Sequence, residues 1–248
     1  MRSRWWGTAL VVCLGCQGGT MSPWLLQEAP EPAPRAILAS RSRESATEAT
    51  DTLGLAAEAI RVGEPMRAAE HMRQHIRENP DQIMIRAYLA ELCRRQRDPH
   101  EAEYQFTRFI DLAQGANPSA RDHTIHCHTR LMELASERGD EYQEHLQRGI
   151  GLYLLGRKAA AKSTAVEPEV VESMYGRAVG ELTKATERDP EDARGWWYLS
   201  RVWEELRQPQ AVRRCLAKAE GRTVLSTMTA TEKAALAEVL ASAPSPER

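Results

Sequence analysis

Gly63-Glu64-Pro65-Met66-Arg67-Ala68-Ala69-Glu70-His71-Met72 and Arg97-Asp98-Pro99-His100-Glu101-Ala102-Glu103-Tyr104-Gln105-Phe106 are two copies of one pattern. Pro65 and Pro99, Ala68 and Ala102, and Met72 and Phe106 each stand 34 residues apart. In the stretch before each proline, Leu55-Ala56 and Leu89-Ala90 keep the same spacing. Each copy offers a proline suited to a first helical turn, where a missing N–H costs nothing. A small residue and then a large apolar one follow at helical intervals. A third copy runs through Ala178, Leu182 and Ala185 to Asp189-Pro190, and continues into Trp196-Trp197-Tyr198-Leu199-Ser200.

A period of this length, with small residues at the eighth and twentieth positions and proline near the thirty-second, resembles the tetratricopeptide repeat. That resemblance implies an all-α fold, a right-handed superhelical array of antiparallel helix pairs. Small residues (Ala56, Ala68, Ala90, Ala102, Ala178, Ser200) would let paired helices cross closely. Leu55, Met72, Leu89, Phe106, Leu182, Ala185 and Leu199 would fill the space within and between repeats. The spacing predicts helix pairs at 51–62 with 65–78, 83–96 with 99–115, 119–138 with 140–156, and 192–207 with 209–220. Repeats cover 49–220. Between Pro118 and Pro190 the pattern is weaker: the distance favours two slightly expanded repeats, with a helix at 169–188 whose partner is short or borrowed from 140–166. A last apolar run inside 221–242 predicts a helix capping the array, and 243–248 should fray.

Composition agrees with helix. The chain has 248 residues, 27% charged, only two phenylalanines and a net charge of −2, so nothing points to nucleic acid as a partner. Cys93, Cys127 and Cys215 fall on apolar helical positions and read as buried thiols rather than a disulfide framework.

The first residues form an address. Arg2 and Arg4 precede a short apolar run, Ala9 to Leu14, too short to span a bilayer. Leu14-Gly15-Cys16 then resembles a bacterial lipobox, with Cys13 where that pattern has Leu, Val or Ile. The resemblance implies a signal peptide at 1–15 and acylation of Cys16. That would make the product a membrane-anchored lipoprotein of the cell envelope, with the outer membrane favoured by Gln17. An ordinary cleaved signal and a soluble secreted product is the other outcome. Cys13 and Cys16 also form a CxxC pair, but no His follows as haem attachment would need. Residues 16–48 carry Pro23, Pro30, Pro32 and Pro34 and little to bury, which predicts a disordered tether spanning roughly 30 Å.

Candidate chemistry is sparse. His71 and His75 stand one turn apart without the HExxH context of a metal site and are expected on a solvated face. The cluster His123-Thr-Ile-His126-Cys127-His128 is the strongest metal-like feature, and a metal or haem carrier is the reading it would support. On a helix, however, His126 and His128 point away from the face shared by His123 and Cys127. No phosphate-loop or nucleophile-elbow motif occurs. Neither enzymatic activity nor any cofactor is therefore expected. Gly149, Gly151 and Gly156 lie in a helical Leu/Ile pattern and are expected to permit close helix packing.

Tetratricopeptide resemblance also implies a protein-binding groove lined by fixed positions of the first helix of each pair. These map to Arg61 in the first repeat, to Glu91, Arg94 and Arg95 in the second, and to Arg194, Trp197, Arg201 and Glu205 in the last. Tryptophan beside arginines on an exposed face would make a hot spot for a protein or peptide. The expected function is a membrane-tethered interaction scaffold, the alternatives being an accessory subunit of an exported enzyme or the metal carrier.

Overall fold

The computed structural model describes residues 51–114, 118–161, 166–223 and 226–242. The signal segment, Cys16, the tether and the 243–248 tail lie outside them. Ten helices are found among the described residues: α1 (Thr52–Val62), α2 (Pro65–Glu78), α3 (Met84–Arg95), α4 (Pro99–Ala113), α5 (Pro118–Arg138), α6 (Glu141–Ala161), α7 (Pro168–Arg188), α8 (Ala193–Glu205), α9 (Pro209–Glu220) and α10 (Ala230–Ser242).

Local chemistry sets these boundaries. Asp51, Asp98 and Asp192 stand just before α1, α4 and α8, and their carboxylates accept backbone N–H groups of the first turn at 2.9, 3.2 and 2.9 Å, satisfying donors that a helix start leaves orphaned. Pro65, Pro99, Pro168 and Pro209 occupy first-turn positions, where only an already orphaned N–H is lost.

The turns within pairs share one geometry. Gly63, Arg97, Gly139 and Arg207 each adopt a left-handed backbone, with φ of 82°, 61°, 71° and 55°. The next residue's N–H then reaches back five positions, Glu64 to Ala59, Asp98 to Cys93, Asp140 to Ala135 and Gln208 to Trp203, at 2.8–3.0 Å. This closure satisfies terminal carbonyls that the helix itself leaves open. Glycine enters the left-handed region freely, whereas an L side chain meets steric resistance there. Arg97 and Arg207 are held in it by the hydrogen bonds on either side.

Packing follows the 34-residue pattern. Ala56, Ala68, Ala90, Ala102, Ala178 and Ser200 are all buried, as are Met72, Leu89, Phe106, Leu182, Ala185 and Leu199. Leu55 is the exception at 38% exposed. Its counterpart Leu89 is fully buried in α3, which has α2 before it. Helix α1 is the first one described and has no described helix on that side, so Leu55 does not pack as its position implied.

The interval between the second and last pairs holds the expected helix near 169–188 with its partner borrowed from 140–166, rather than two complete repeats. It holds three 21-residue helices, α5, α6 and α7, and α6 runs on to Ala161 rather than ending near 156. The α5–α6 turn has the left-handed closure found within pairs. Asp189, after α7, has φ −132° and ψ 87°, close to Asn79 after α2 at −133° and 68°. Helix α7 therefore ends as a second helix does, and α6 serves both as partner to α5 and as partner to α7.

Two glycines make the α6–α7 approach possible. A Cβ on Gly149 would stand 2.6 Å from Leu182 Cγ, and one on Gly156 would stand 2.7 Å from the Tyr175 ring. The glycines are seven residues apart and so are their partners, in the opposite direction, as antiparallel helices in register require. Gly151 would meet nothing closer than 3.9 Å and is not required for that contact.

Apolar burial divides at the α5–α6 turn. One core gathers Met72, Leu89, Phe106, Phe109 and Leu131, among others. The second gathers Leu146, Ile150, Tyr153, Leu182, Leu199, Val202 and Leu236.

Candidate partner-binding surface

The groove positions proposed from sequence fall into three environments. Arg61 is exposed on α1 and pairs one turn back with Glu58. Such an exposed pair contributes little to stability and leaves the guanidinium accessible.

Glu91 and Arg94 sit inside an ion-pair network that joins α3 to α5. The Glu91 carboxylate accepts from Arg130 Nε at 2.7 Å, His126 Nε2 at 3.0 Å and Arg94 Nε at 3.2 Å. Arg130 in turn binds Glu133 at 2.9 Å. Burial pushes the Glu91 pKa up, but the His126 hydrogen bond and the Arg130 and Arg94 charges outweigh it and hold the group at about 2. Glu91 is thus committed to its own chain. Arg95, on the same turn of α3, is exposed.

The last set differs most from expectation. Arg194 is 4% exposed and Trp197 is 6% exposed, so neither stands on an open face. Arg194 is covered because Glu232 of α10 lies on it: its Nε and Nη2 donate to Glu232 Oε1 at 3.1 and 2.9 Å. The Tyr198 hydroxyl donates to the same oxygen at 2.7 Å. Trp197 is packed in the second core, with the Arg201 guanidinium 5.3 Å from its ring centroid.

Arg201 and Glu205 do reach the surface, and α6 adds to them. Arg157 is exposed, stands 3.4 Å from Glu205 and lies 5.8 Å from the Tyr153 ring centroid. Tyr153 packs against Tyr175 and Tyr198 at centroid distances of 6.4 and 6.2 Å. The result is an aromatic floor with two guanidinium groups resting on it, each beside its own carboxylate, Arg157 with Glu205 at 3.4 Å and Arg201 with Glu204 at 2.5 Å. Sequence reasoning missed Arg157, since no repeat position assigns it. The seven-residue glycine register of α6 was the available signal, because it fixes which face of α6 meets α7.

The histidines do not gather. His75 is buried and its Nδ1 lies 2.9 Å from the Thr52 hydroxyl, while His71 is half-buried. The solvated face expected for this pair is therefore corrected: α1 packs over α2 and covers it. In the 123–128 cluster, His126 turns to Glu91 on α3, and His128 is fully buried with Nδ1 2.7 Å from Gln147 Oε1 on α6. No three potential metal-binding side chains of the His, Cys, Asp or Glu types converge among the described residues. Cys93, Cys127 and Cys215 are free and buried. Burial pushes the Cys93 thiol up to about 11 and raises Cys127 and Cys215 as well, which keeps them un-ionised near neutral pH.

The fold rests on three internal observations: small residues buried 34 apart at Ala56 and Ala90 and at Ala68 and Ala102, the first-turn prolines Pro65 and Pro99 at the same spacing, and the repeated left-handed turn. The described residues form an all-α array of antiparallel helix pairs, the architecture that the tetratricopeptide resemblance implies. No protein-family model matches it, and no curated protein is similar to it in sequence. Solved structures that it resembles include TTC0263, a tetratricopeptide protein of Thermus thermophilus, with 16% identity over 77% of this chain and 80% of that one, at a TM-score of 0.34. Others are MamA from residue 41 onward, of Desulfovibrio magneticus RS-1, with 12% identity, 68% and 92% coverage and a TM-score of 0.28, and residues 1–338 of Acl4, an assembly chaperone of RpL4, with 13% identity, 77% and 83% coverage and a TM-score of 0.32. Overlaps this loose transfer neither a partner nor a task to the tetratricopeptide-like array described above.

Proposed function

We propose that this tetratricopeptide-like array is a tethered scaffold that holds another protein or a peptide. The observation that carries the proposal is the surface on α6 and α8 where Arg157 and Arg201 lie over Tyr153 and Trp197, with Glu205 beside the first and Glu204 beside the second. Guanidinium groups resting on aromatic planes are pre-oriented, so less side-chain freedom is lost when they bind. They present forked donors suited to carboxylates or backbone carbonyls. Arginine and aromatic anchors of this kind supply much of the energy of protein interfaces.

Arg157 and Arg201 are the residues to change, since both leave the aromatic floor in place. Arg157→Ala with Arg201→Ala should retain the helical circular dichroism and thermal midpoint of the parent. Capture of a cross-linked cell-envelope partner by the full chain should drop at least tenfold, about 1.4 kcal/mol or more. Undiminished capture by the double variant would refute this surface as the docking site.

The tether is proposed from Leu14-Gly15-Cys16. Acyl chains added at Cys16 would hold the array at a membrane, because two or more chains anchor stably where one binds marginally. No helix among the described residues is long and apolar enough to cross a membrane. Metabolic labelling with a fatty-acid analogue should mark the wild-type chain and leave Cys16→Ala unlabelled. Equal labelling of both would remove the lipid anchor from the proposal.

A further inference from the structure

The segment from Thr227 to Glu232 lies against the array as a bound peptide would. Thr227 donates to Asp192 through both its backbone N–H, at 3.1 Å, and its hydroxyl, at 2.5 Å. The same Asp192 carboxylate accepts the Tyr142 hydroxyl of α6 at 2.6 Å. Thr231 donates its hydroxyl to Asp111 of α4 at 2.8 Å. Glu232 enters the site of Arg194 and Tyr198. Side chains from α4, α6 and α8, and from the turn before α8, thus converge on six consecutive residues.

The segment has its own preformed shape. The Glu232 carboxylate accepts the Thr229 N–H at 2.8 Å, and the Thr229 hydroxyl accepts the Glu232 N–H at 3.2 Å. This reciprocal pair is a capping box. It starts α10 and places Glu232 in the first turn, with one carboxylate oxygen spent on the cap and the other on Arg194 and Tyr198.

Attachment is both apolar and polar: Met228 and Leu236 enter the second core, and Ala235, Val239 and Leu240 pack against it. Within α10 only Glu232 and Leu236 are buried. Glu232 shares the face of Ala235, Leu236, Val239 and Leu240, and sets a carboxylate where sealing a core would need only another apolar side chain. Beside that apolar contact lies an ion pair whose partners are nearly solvent-free, Arg194 and Glu232. Buried pairs of this kind favour one geometry and one partner more than they favour stability, since desolvation offsets much of their attraction.

We infer that Asp111, Asp192, Arg194 and Tyr198 form a peptide-binding site filled here by the chain's own residues 227–232, and that a partner protein displaces them with a helix start carrying threonine and glutamate in the same places. Arg194 demands the carboxylate. Asp111 and Asp192 demand hydroxyl or N–H donors and repel further acids beside them. The ligand class is therefore a Thr-Met-Thr-x-Thr-Glu-like segment, its methionine entering the second core as Met228 does, with a single glutamate in the first turn of a helix. The segment tethered in place acts at millimolar effective concentration, so it sets a threshold that an incoming peptide must exceed. The site meets the Arg157–Arg201 surface at Tyr198, whose ring packs on Tyr153 while its hydroxyl serves Glu232, and it uses neither arginine.

A fluorescent peptide of residues 226–242, added to the full-length chain, tests this. Wild-type protein should bind it weakly, because the site is filled. Glu232→Gln in the protein should release the segment and bind the wild-type peptide at least tenfold more tightly, while a peptide carrying Glu232→Gln binds neither protein. Thr227→Val with Thr231→Val in the protein loosens the segment without removing the Arg194 partner, and should give the same gain in a smaller measure. Amide exchange across α1–α9 should remain protected in both. Loss of α8 and α9 protection in both variants, or peptide affinity equal to that of wild type, would show a purely structural cap and overturn the inference. Dimers formed by exchange of α10 that the peptide cannot dissociate would also overturn it, since the occupant would then be a second copy. Arg157→Ala with Arg201→Ala should leave peptide binding unchanged, which keeps failure of this site distinct from failure of the proposed partner surface.

Discussion

Phe106→Ala is expected to lower the unfolding free energy by about 3–5 kcal/mol, among the largest single effects available in this chain. Phe106 is wholly buried in the first core, together with Met72, Leu89, Cys93 and Leu131. Removing the ring leaves a cavity between elements whose backbones are already fixed by the left-handed turns, so collapse into the space is limited. Urea denaturation followed by far-ultraviolet circular dichroism measures the loss. The division into two cores gives a sharper expectation. In an array each pair mainly contacts its neighbours, so damage stays local. Amide exchange should accelerate across α1 to α4 while α8 and α9 keep their protection. A uniform acceleration across all helices would mean that the two cores unfold as one unit, contrary to this expectation.

Much of that core was legible in the sequence, for a physical reason. Ala68 and Ala102, Met72 and Phe106, and Pro65 and Pro99 repeat because each pair solves the same packing problem with the same geometry. The middle of the chain was less legible because the period counts residues and not helices. Between Pro118 and Pro190 the residues suffice for two expanded repeats, and they are spent instead on three long helices. The deciding residues are Gly149 and Gly156, which let α6 approach Leu182 and Tyr175, and the alanine-rich end of α6, which lets that helix run on. Two glycines seven apart state that something comes close to one face, but not which helix it is.

The candidate site was legible only in part. Arg201 and Glu205 reach the surface, but Arg194 and Trp197 do not, because α10 covers the first and the second core takes the second. Nothing in a repeat position announces that a segment some forty residues later folds back over it. Thr229-x-x-Glu232 has the spacing of a capping box, which marks only a helix start. That the same glutamate also binds Arg194 is a tertiary fact with no periodic trace. Nor did spacing show that Glu91 would be engaged by His126 and Arg130, since that contact joins α3 to a helix outside the regular pattern.

Acid should weaken the fold through His128, and the size of the effect is set by its burial. His128 is fully enclosed between α5 and α6, with Gln147 on Nδ1. Burial, and then the positive charge of Arg194, lower its pKa to about 4, with the Gln147 hydrogen bond and the Glu232 charge offsetting only part of that. In the unfolded chain the same imidazole titrates near about 6.5. Above that value the group is neutral in both states and costs nothing. As the pH falls from about 6.5 to about 4, the unfolded chain takes up a proton that the folded chain refuses, and stability drops by up to about 3 kcal/mol. Glu91 and Glu181, both held at about 2 in the fold, lose their contribution only below the ordinary carboxylate range. The interval between about pH 6.5 and 4.5 therefore belongs to histidine. His123, lowered chiefly by its partial burial, adds a smaller slope of the same sign. Urea midpoints measured at half-unit steps across that interval should fall steadily for the wild-type chain. His128→Gln keeps a hydrogen-bonding group opposite Gln147 without a titrating proton, and should flatten most of the fall even if it lowers stability at pH 7. An unchanged slope in His128→Gln would place the acid sensitivity elsewhere and show that the buried ring is not the group excluded from its proton.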